Sequence, residues 1–473
     1  MNDSLCPIHH WAGETPSRIA VRSETTALDY RTLDRRLASL QSQLSEAGVA
    51  PGARLVAPVR GSLEDLLLAW TCLRAGLLFC PLNPAFPAET QVGMARRLRA
   101  DAFYCAEDSC AKGSPSPDWR PLRLDFSREA AAVPPPRLDP ERPCNTILTS
   151  GSSGPPKAVL HRLGNHLASA RGSAAVLPLD ADCGWLLSLP LFHIGGYAIP
   201  FRVFLAGACL ILDSRTRPLG ERLEREPITH LSLVPTQLWR LLREGFRPER
   251  TRLRELLLGG AAIPAPLVER LSALGLAPKV SYGLSEMASQ VCTGEPTAPG
   301  VVGRPLPGRE VRIVDDEIQV RGDTLFVGYL EGENLVPARN PEGWFATRDR
   351  GRFTNGGELV VEGRLDNRFV SGGENVQPET IEQRLVDHPG VAQALVVPVP
   401  SEEWGQRPVA FVDWHDHPLP ARALEAWLRE TLPGYMVPDA WLPWPDADQG
   451  LKPSRRRLSA LAAERLGARP HSV

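Results

Sequence analysis

Two spacings of apolar residues alternate along the first 300 positions, and a third pattern replaces them afterwards. From Ile19 the chain reads as a strand and then a helix, with Leu33, Leu37, Leu40 and Leu44 three and four residues apart and Gly48 closing it. Arg54 to Val59 again reads as a strand and Glu64 to Arg74 as a helix. Such alternation predicts a parallel sheet with helical crossovers. Between Ala111 and Pro143 the composition turns to proline and charge, with three prolines at 134 to 136, which predicts an extended surface connector. Thr146 to Leu148 reads as a buried strand and Asn165 to Val176 as a helix. Trp185 to Leu189, Leu231 to Val234 and Leu256 to Leu258 read as strands that run into P-L-F-H-I-G-G, Pro235 and G-G-A-A, and a fourth ends in S-Y-G-L-S-E at 281 to 286. Polar and glycine-rich segments after successive strands of an α/β sheet converge on one crevice. From Val311 to Val361 short alternating strands, with Ile318 and Val320 on one face, predict an antiparallel part.

Beyond Gly363 a smaller α+β unit is expected. It has a strand at Arg368 to Val370, a helix opened by Pro378 and stopped by Pro389 and Gly390, strands at Ala394 to Val397 and Val409 to Val412, a helix from Ala421 to Leu432, and a terminal helix. The expected organisation is a large α/β domain over 1–365 and a small α+β domain over 366–473.

Composition removes several classes of function. Hydrophobic residues at 43% and charged residues at 23% describe a globular chain, and 473 residues exceed one ordinary domain. The formal charge of -2 offers neither a nucleic-acid surface nor an electrostatic membrane anchor. The run Arg455 to Arg457 reads as a solvated helix face, and His9 with His10 as a surface pair. Nine scattered cysteines without a C-x-x-C pair argue against a disulfide framework or a zinc site and fit a reducing cytosol. The first residues lack a basic region followed by an apolar one, so no secretory signal is expected. The apolar window Leu63 to Leu82 is interrupted by Glu64, Asp65 and Arg74, so no integral membrane segment is expected. A cytoplasmic enzyme fits these features, and a homo-oligomer is compatible with them.

The most concentrated polar chemistry lies in T-S-G-S-S-G-P-P-K: Thr149, Ser150, Gly151, Ser152, Ser153, Gly154 and, after two prolines, Lys157. Glycines admit a close ligand, hydroxyls and amides donate, and the lysine adds charge, so the loop suits polyphosphate. A solvated Ser/Gly loop has the same composition. The common P-loop is excluded, because Pro156 precedes Lys157 and Ala158 follows it.

That loop, then L-P-L-F-H, G-G-A, Y-G-L-S-E, W-F-A-T-R-D, G-R-L-D and Y-M-V-P in this order, resembles the core motifs of the adenylate-forming superfamily over nearly the whole chain. The resemblance implies that a carboxylate attacks the α-phosphorus of ATP, pyrophosphate leaves, and the acyl group passes to a thiol. ATP, magnesium and CoA are the implied cofactor and co-substrates. It assigns the loop residues, Gly260, Tyr282, Gly283, Ser285, Asp349 and Arg364 to the nucleotide, with Tyr282 near adenine and Asp349 on the ribose hydroxyls. Glu286 is implied as the metal-associated carboxylate, a hard ligand for a hard cation. Asp366 matches a hinge, and Ser371, Gly372 and Gly373 match a pantetheine channel. Lys452 fits the lysine that bridges carboxylate and phosphate, although Gly450 stands one place early. Ala158 and Arg348 also depart from the usual glycines.

The segments N-H-L-A-S-A-R-G-S at 165 to 173 and W-L-L-S-L-P-L-F-H-I-G-G at 185 to 196, with Arg202, are similar to those of o-succinylbenzoate-CoA ligases. That similarity places His193, Gly195, Gly259, Gly260 and Ala261 around the acyl group. Arg202 lies in I-P-F-R-V-F, where an arginine either pairs internally or reaches solvent; the similarity assigns it to the carboxylate that is not activated. A ligase for another aryl or fatty acid, or a silent acyl-nucleotide binding protein, remains an alternative.

Overall fold

Aspartate and serine caps, followed by buried leucines, start the helices Tyr30–Glu46 and Leu63–Ala75. A computed structural model describes residues 4–105, 119, 122–149, 156–213, 216–415, 417–445 and 455–467. In the helix Tyr30–Glu46, Asp29 accepts the Thr32 N–H at 2.7 Å, and Leu33, Leu37, Leu40 and Leu44 are buried. Each such leucine contributes roughly 1.5–3 kcal/mol by leaving water. The helix Leu63–Ala75 opens on a capping box between Ser62 and Asp65 and closes at Gly76, whose backbone is left-handed.

Among the described residues the strands form sheets of nine, seven, four and five members. In the nine-stranded sheet, Gly184–Leu187, His230–Leu233, Glu255–Gly259 and Lys279–Leu284 are successive parallel neighbours. Their carboxyl ends therefore share one edge. The seven-stranded sheet carries Arg54–Pro58, Leu78–Leu82 and Pro143–Thr149 in parallel. Lys157–Arg162 then returns antiparallel, with Thr149 opposite Lys157. The expected alternating region is a four-stranded antiparallel sheet of Arg309–Val314, Glu317–Gly322, Phe345–Phe353 and Leu359–Arg364.

The last sheet pairs Val391–Ser401 with Gly405–Trp414, both longer than their apolar centres predict, because the ladder continues to a tight turn at Gly405. Ile381, Leu385, Val396, Val412, Leu424 and Leu428 form a core drawn from this sheet and the helices Pro378–Val386 and Ala421–Arg429.

Three expectations need correction. The helix Ile194–Ala206 was not foreseen, because an almost uniformly apolar run has no period to read, and Pro200 lies inside it. Arg455 does not face solvent like the rest of its basic run: it pairs with Glu382 at 2.5 Å and Glu379 at 3.3 Å. His9 faces Asp34 at 2.9 Å, and Asp34 also takes the buried Arg74. Among the described residues seven cysteines are free and Cys105 is disulfide-bonded. Among the described residues no helix is long and apolar enough to cross a membrane.

Leu385→Ala is expected to cost about 2–5 kcal/mol, the usual price of a buried cavity. Hydrogen exchange should show the loss in residues 369–462 and leave the Gly184–Leu187 strand protected as before. Equal loss in both regions would refute a separate small core.

Candidate active site

The site draws its residues from the nine-, seven- and four-stranded sheets. In Phe345–Phe353 the side chains alternate, and Phe345, Thr347 and Asp349 turn inward. The Thr347 hydroxyl donates to the Ile318 carbonyl at 2.7 Å and accepts the Asp349 N–H at 3.1 Å. Asp349 is thereby fixed at 8% exposure. Tyr282, at the end of Lys279–Leu284, donates its hydroxyl to one Asp349 oxygen at 2.5 Å, and Arg364 donates to the other at 3.0 Å. Burial, then the nearby Asp349, pushes the Tyr282 phenol well above its ordinary range. It therefore stays a donor at neutral pH.

Arg364 also reaches Asp366 at 3.1 Å, and Arg348 meets Asp366 from the other side at 3.1 Å. Burial alone would raise the Asp366 carboxyl, but the hydrogen bonds and charges of these arginines outweigh it and hold it below the usual range. Arg348 occupies a left-handed backbone position at φ 61°, which suits the glycine more usual in this motif. On its other side the Arg364 carbonyl accepts from Gln377 at 3.0 Å.

Glu286 follows Tyr282 on the same segment. It accepts from the Tyr329 hydroxyl at 2.8 Å, and burial raises its pKa. Lys157 lies 4.7 Å above the Tyr329 ring, so the end of the phosphate loop and the carboxylate share one aromatic support. His161 bonds the Ser285 carbonyl at 2.7 Å. Gly283 has no room for a side chain, because a Cβ would strike the Ser289 carbonyl. Among the described residues no cluster of three or more His, Cys, Asp or Glu gathers. Magnesium needs no such cluster, since one or two carboxylates with phosphates and waters suffice, so Glu286 fits it.

The acyl side is built by different elements. His193 is exposed at the start of the helix Ile194–Ala206, its ring 4.6 Å from Phe192, and Gly195 lies in the first turn. Gly259, Gly260 and Ala261 leave the neighbouring parallel strand, with Gly260 left-handed. Arg202 is 5% exposed. It lies 5.4 Å from the Trp185 ring and donates to the Ser289 hydroxyl at 3.1 Å, while its Nε has no partner. Among the described residues no acidic side chain pairs with it. Burial, and then the positive Arg309 nearby, pushes its pKa down to about 9, which leaves it a cation at neutral pH.

Ser371, Gly372 and Gly373 lie outside this constellation. Ser371 is buried and accepts from Arg407 at 3.1 Å, and the two glycines form the left-handed turn between Phe369–Ser371 and Glu374–Val376. Ser150, Gly151, Ser152, Ser153, Gly154 and Lys452 lie outside the described residues. Thr347 stands inside W-F-A-T-R-D, but its bond to Ile318 is not legible there. No quoted motif marks Tyr329, His161, Ser289 or Arg309, and their places arise only from the folding of distant segments onto the site.

Residues 8–330 match the family described as AMP-binding enzyme, and residues 380–447 match the AMP-binding enzyme C-terminal domain. A 2-succinylbenzoate–CoA ligase of Salmonella typhimurium is 39% identical over 97% of this chain and 98% of its own length. The Escherichia coli enzyme of the same name is 38% identical over 96% and 97%. The chain belongs to the AMP-binding enzyme family. Among solved members, a variant of Escherichia coli MenE with bound OSB-AMS superposes with a TM-score of 0.88 at 35% identity, covering 98% of this chain and 99% of that one. Bacillus subtilis MenE in complex with the acyl-adenylate intermediate OSB-AMP gives 0.84 at 27% identity, covering 96% and 98%.

A buried cation without a counter-charge is costly to the unliganded fold. Arg202→Met is therefore expected to raise the unfolding free energy of the unliganded protein by about 1–2 kcal/mol, a gain of the kind seen when a functional site is relaxed. Urea titration measures it; a loss of stability would show that Arg202 is already compensated.

Proposed function

We propose that this chain joins 2-succinylbenzoate to CoA in two steps, through an acyl-adenylate, as an ATP-dependent, AMP-forming acid–thiol ligase of menaquinone biosynthesis. The observation that carries the choice of acid is Arg202: buried, cationic and lacking an acidic partner among the described residues. An acid with a second carboxylate supplies that partner, whereas a fatty acid or benzoate does not. Full-length similarity to 2-succinylbenzoate–CoA ligases supports the same reading.

In the first step a substrate carboxylate oxygen bonds to the α-phosphorus of ATP and the bond to pyrophosphate breaks. Such transfer needs alignment and charge neutralisation more than covalent help from the protein. Asp349, held by Tyr282 and Arg364, presents fixed acceptors for the ribose hydroxyls. Thr149 and Lys157 face each other at the mouth of the phosphate loop. Glu286 would hold magnesium, which supplies charge neutralisation to the phosphates when bound. Lys452 is assigned to the reacting carboxylate and phosphate. His193, Gly195, Gly259, Gly260 and Ala261 are assigned to the wall of the acyl pocket.

In the second step the CoA sulfur bonds to the acyl carbon and AMP leaves. Asp366 is the proposed pivot that turns the small domain between the steps, and Ser371, Gly372 and Gly373 are its proposed approach to the pantetheine arm. Free CoA is preferred to a carrier protein because no carrier segment with an attachment serine is evident in the sequence. A cytoplasmic location, and possible self-association, belong to the same reading.

The test is ATP-dependent turnover of 2-succinylbenzoate beside benzoate and a fatty acid, following pyrophosphate without CoA and thioester with it. Preferential use of the diacid in both steps is expected. Arg202→Ala should raise the KM for the diacid about 100-fold or more, the range for leaving a buried charged partner unpaired, with the KM for ATP changed only slightly. Better turnover of a monocarboxylate would reassign the pocket, and equal loss toward acid and ATP would remove Arg202 from it.

A further inference from the structure

Arg202 has a neutral partner whose placement is unusual. Ala288 and Ser289 are consecutive buried residues with left-handed backbones, at φ 49° and 106°. L side chains rarely adopt such conformations, and two in succession persist only where the surroundings hold them. Here the holding groups are explicit. The Ser169 hydroxyl donates to the Ala288 carbonyl at 2.6 Å. Arg309 donates through Nε to the Gln290 carbonyl at 2.7 Å, and through its other nitrogens to Pro307 and Ser169. The Ser289 carbonyl rests on Gly283, where any side chain would displace it. Three contacts thus hold the segment that sets one serine hydroxyl against the guanidinium of Arg202.

The chemistry of that pair is asymmetric. A guanidinium only donates, so Ser289 Oγ is the acceptor at 3.1 Å, and its own O–H is left to donate elsewhere. A hydroxyl cannot neutralise the charge. It can, however, fix the direction of the guanidinium and offer a second donor beside it, and two adjacent donors suit the two oxygens of a carboxylate. Arg309 adds a second buried positive charge to the same region, with no acidic side chain in ion-pair contact among the described residues.

We propose that Ser289 is a specificity-determining residue: it orients Arg202 and donates its own hydroxyl to the free carboxylate of the acid, from a backbone conformation that Ser169 and Arg309 maintain. The inference rests on the diacid reading above. It also joins the two halves of the site, because Ser289 belongs to the same hairpin as Tyr282 and Glu286.

The experiment compares wild-type protein with Ser289→Ala and Ser289→Gly, using 2-succinylbenzoate and benzoate as probes and varying ATP separately. Both variants are expected to raise the KM for 2-succinylbenzoate about tenfold, the effect of losing one hydrogen bond to a charged group. The ratio of kcat/KM for the diacid over benzoate should fall by a similar factor, with the KM for ATP within about twofold. Ser289→Gly relieves the backbone strain, so it should be at least as thermally stable as wild type and still lose the diacid preference. A merely structural serine predicts the reverse: Ser289→Gly would then keep the wild-type KM. Wild-type protein without a preference for the diacid would overturn the substrate reading, whereas a wild-type preference that survives in both variants would overturn only the role of Ser289.

Discussion

Parallel pairing is the constraint on which the rest of this structure depends. A strand that returns parallel to its neighbour must be carried back across the sheet, so each carboxyl end opens on the same edge as the last. Gly184–Leu187, His230–Leu233, Glu255–Gly259 and Lys279–Leu284 obey this in immediate succession. Segments separated by up to a hundred residues are thereby delivered to one crevice. The antiparallel return Ser289–Gly294 ends the run and folds the Tyr282 to Glu286 segment back over the edge. Without that reversal Ser289 would not meet Arg202.

Charge is arranged in two opposite ways across the crevice. Around Asp349 every charge has a counter-charge: Arg364 bridges Asp349 and Asp366, and Arg348 closes the chain. That side is compensated without ligand. Around Arg202 there are hydroxyls, an indole face and a second arginine, but among the described residues no acidic partner. In a low-dielectric surrounding such a cation strongly favours an anion that arrives with the substrate. The proposed nucleotide side is thus shaped by preorganised hydrogen bonds, and the proposed acid side by an electrostatic deficit.

The division between what was readable in the sequence and what was not follows the range of the interactions. Leu33 to Leu44 declared their helix because a 3.6-residue period is local, and Ile318 with Val320 declared a strand for the same reason. The Ile194–Ala206 helix did not, since burial on all sides erases the period. Of the site, Tyr282, Glu286, Asp349 and Arg364 were readable through motif order, and they do lie together. Tyr329 was not, because its value comes from a strand pairing between Gly328–Glu331 and Lys157–Arg162, which are far apart in the chain. Ala288 and Ser289 escaped for a further reason: a positive φ at a non-glycine residue leaves no mark in the sequence.

The contacts at Asp366 also bear on how one crevice serves two reactions. Arg364 is held to Asp349 within the four-stranded sheet, so its side chain belongs to the large domain. Its carbonyl, however, accepts from Gln377, Gln377 donates to Glu379, and Glu379 pairs with Arg455 on the terminal helix. Rotation about the proposed pivot would therefore spare the Asp349 contact and break the Gln377 bond. It would also break the Arg243–Asp413 pair that joins the domains farther away. Exposed ion pairs contribute only about 0.2–1 kcal/mol each, and a hydrogen bond about 0.5–1.5 kcal/mol net. Few contacts of that size oppose the motion, whereas separation of Asp349 from Tyr282 and Arg364 would strip a buried carboxylate of both its partners. In the proposed rotation this energetic asymmetry would let the small domain turn while the Tyr282–Asp349–Arg364 contacts stay in place.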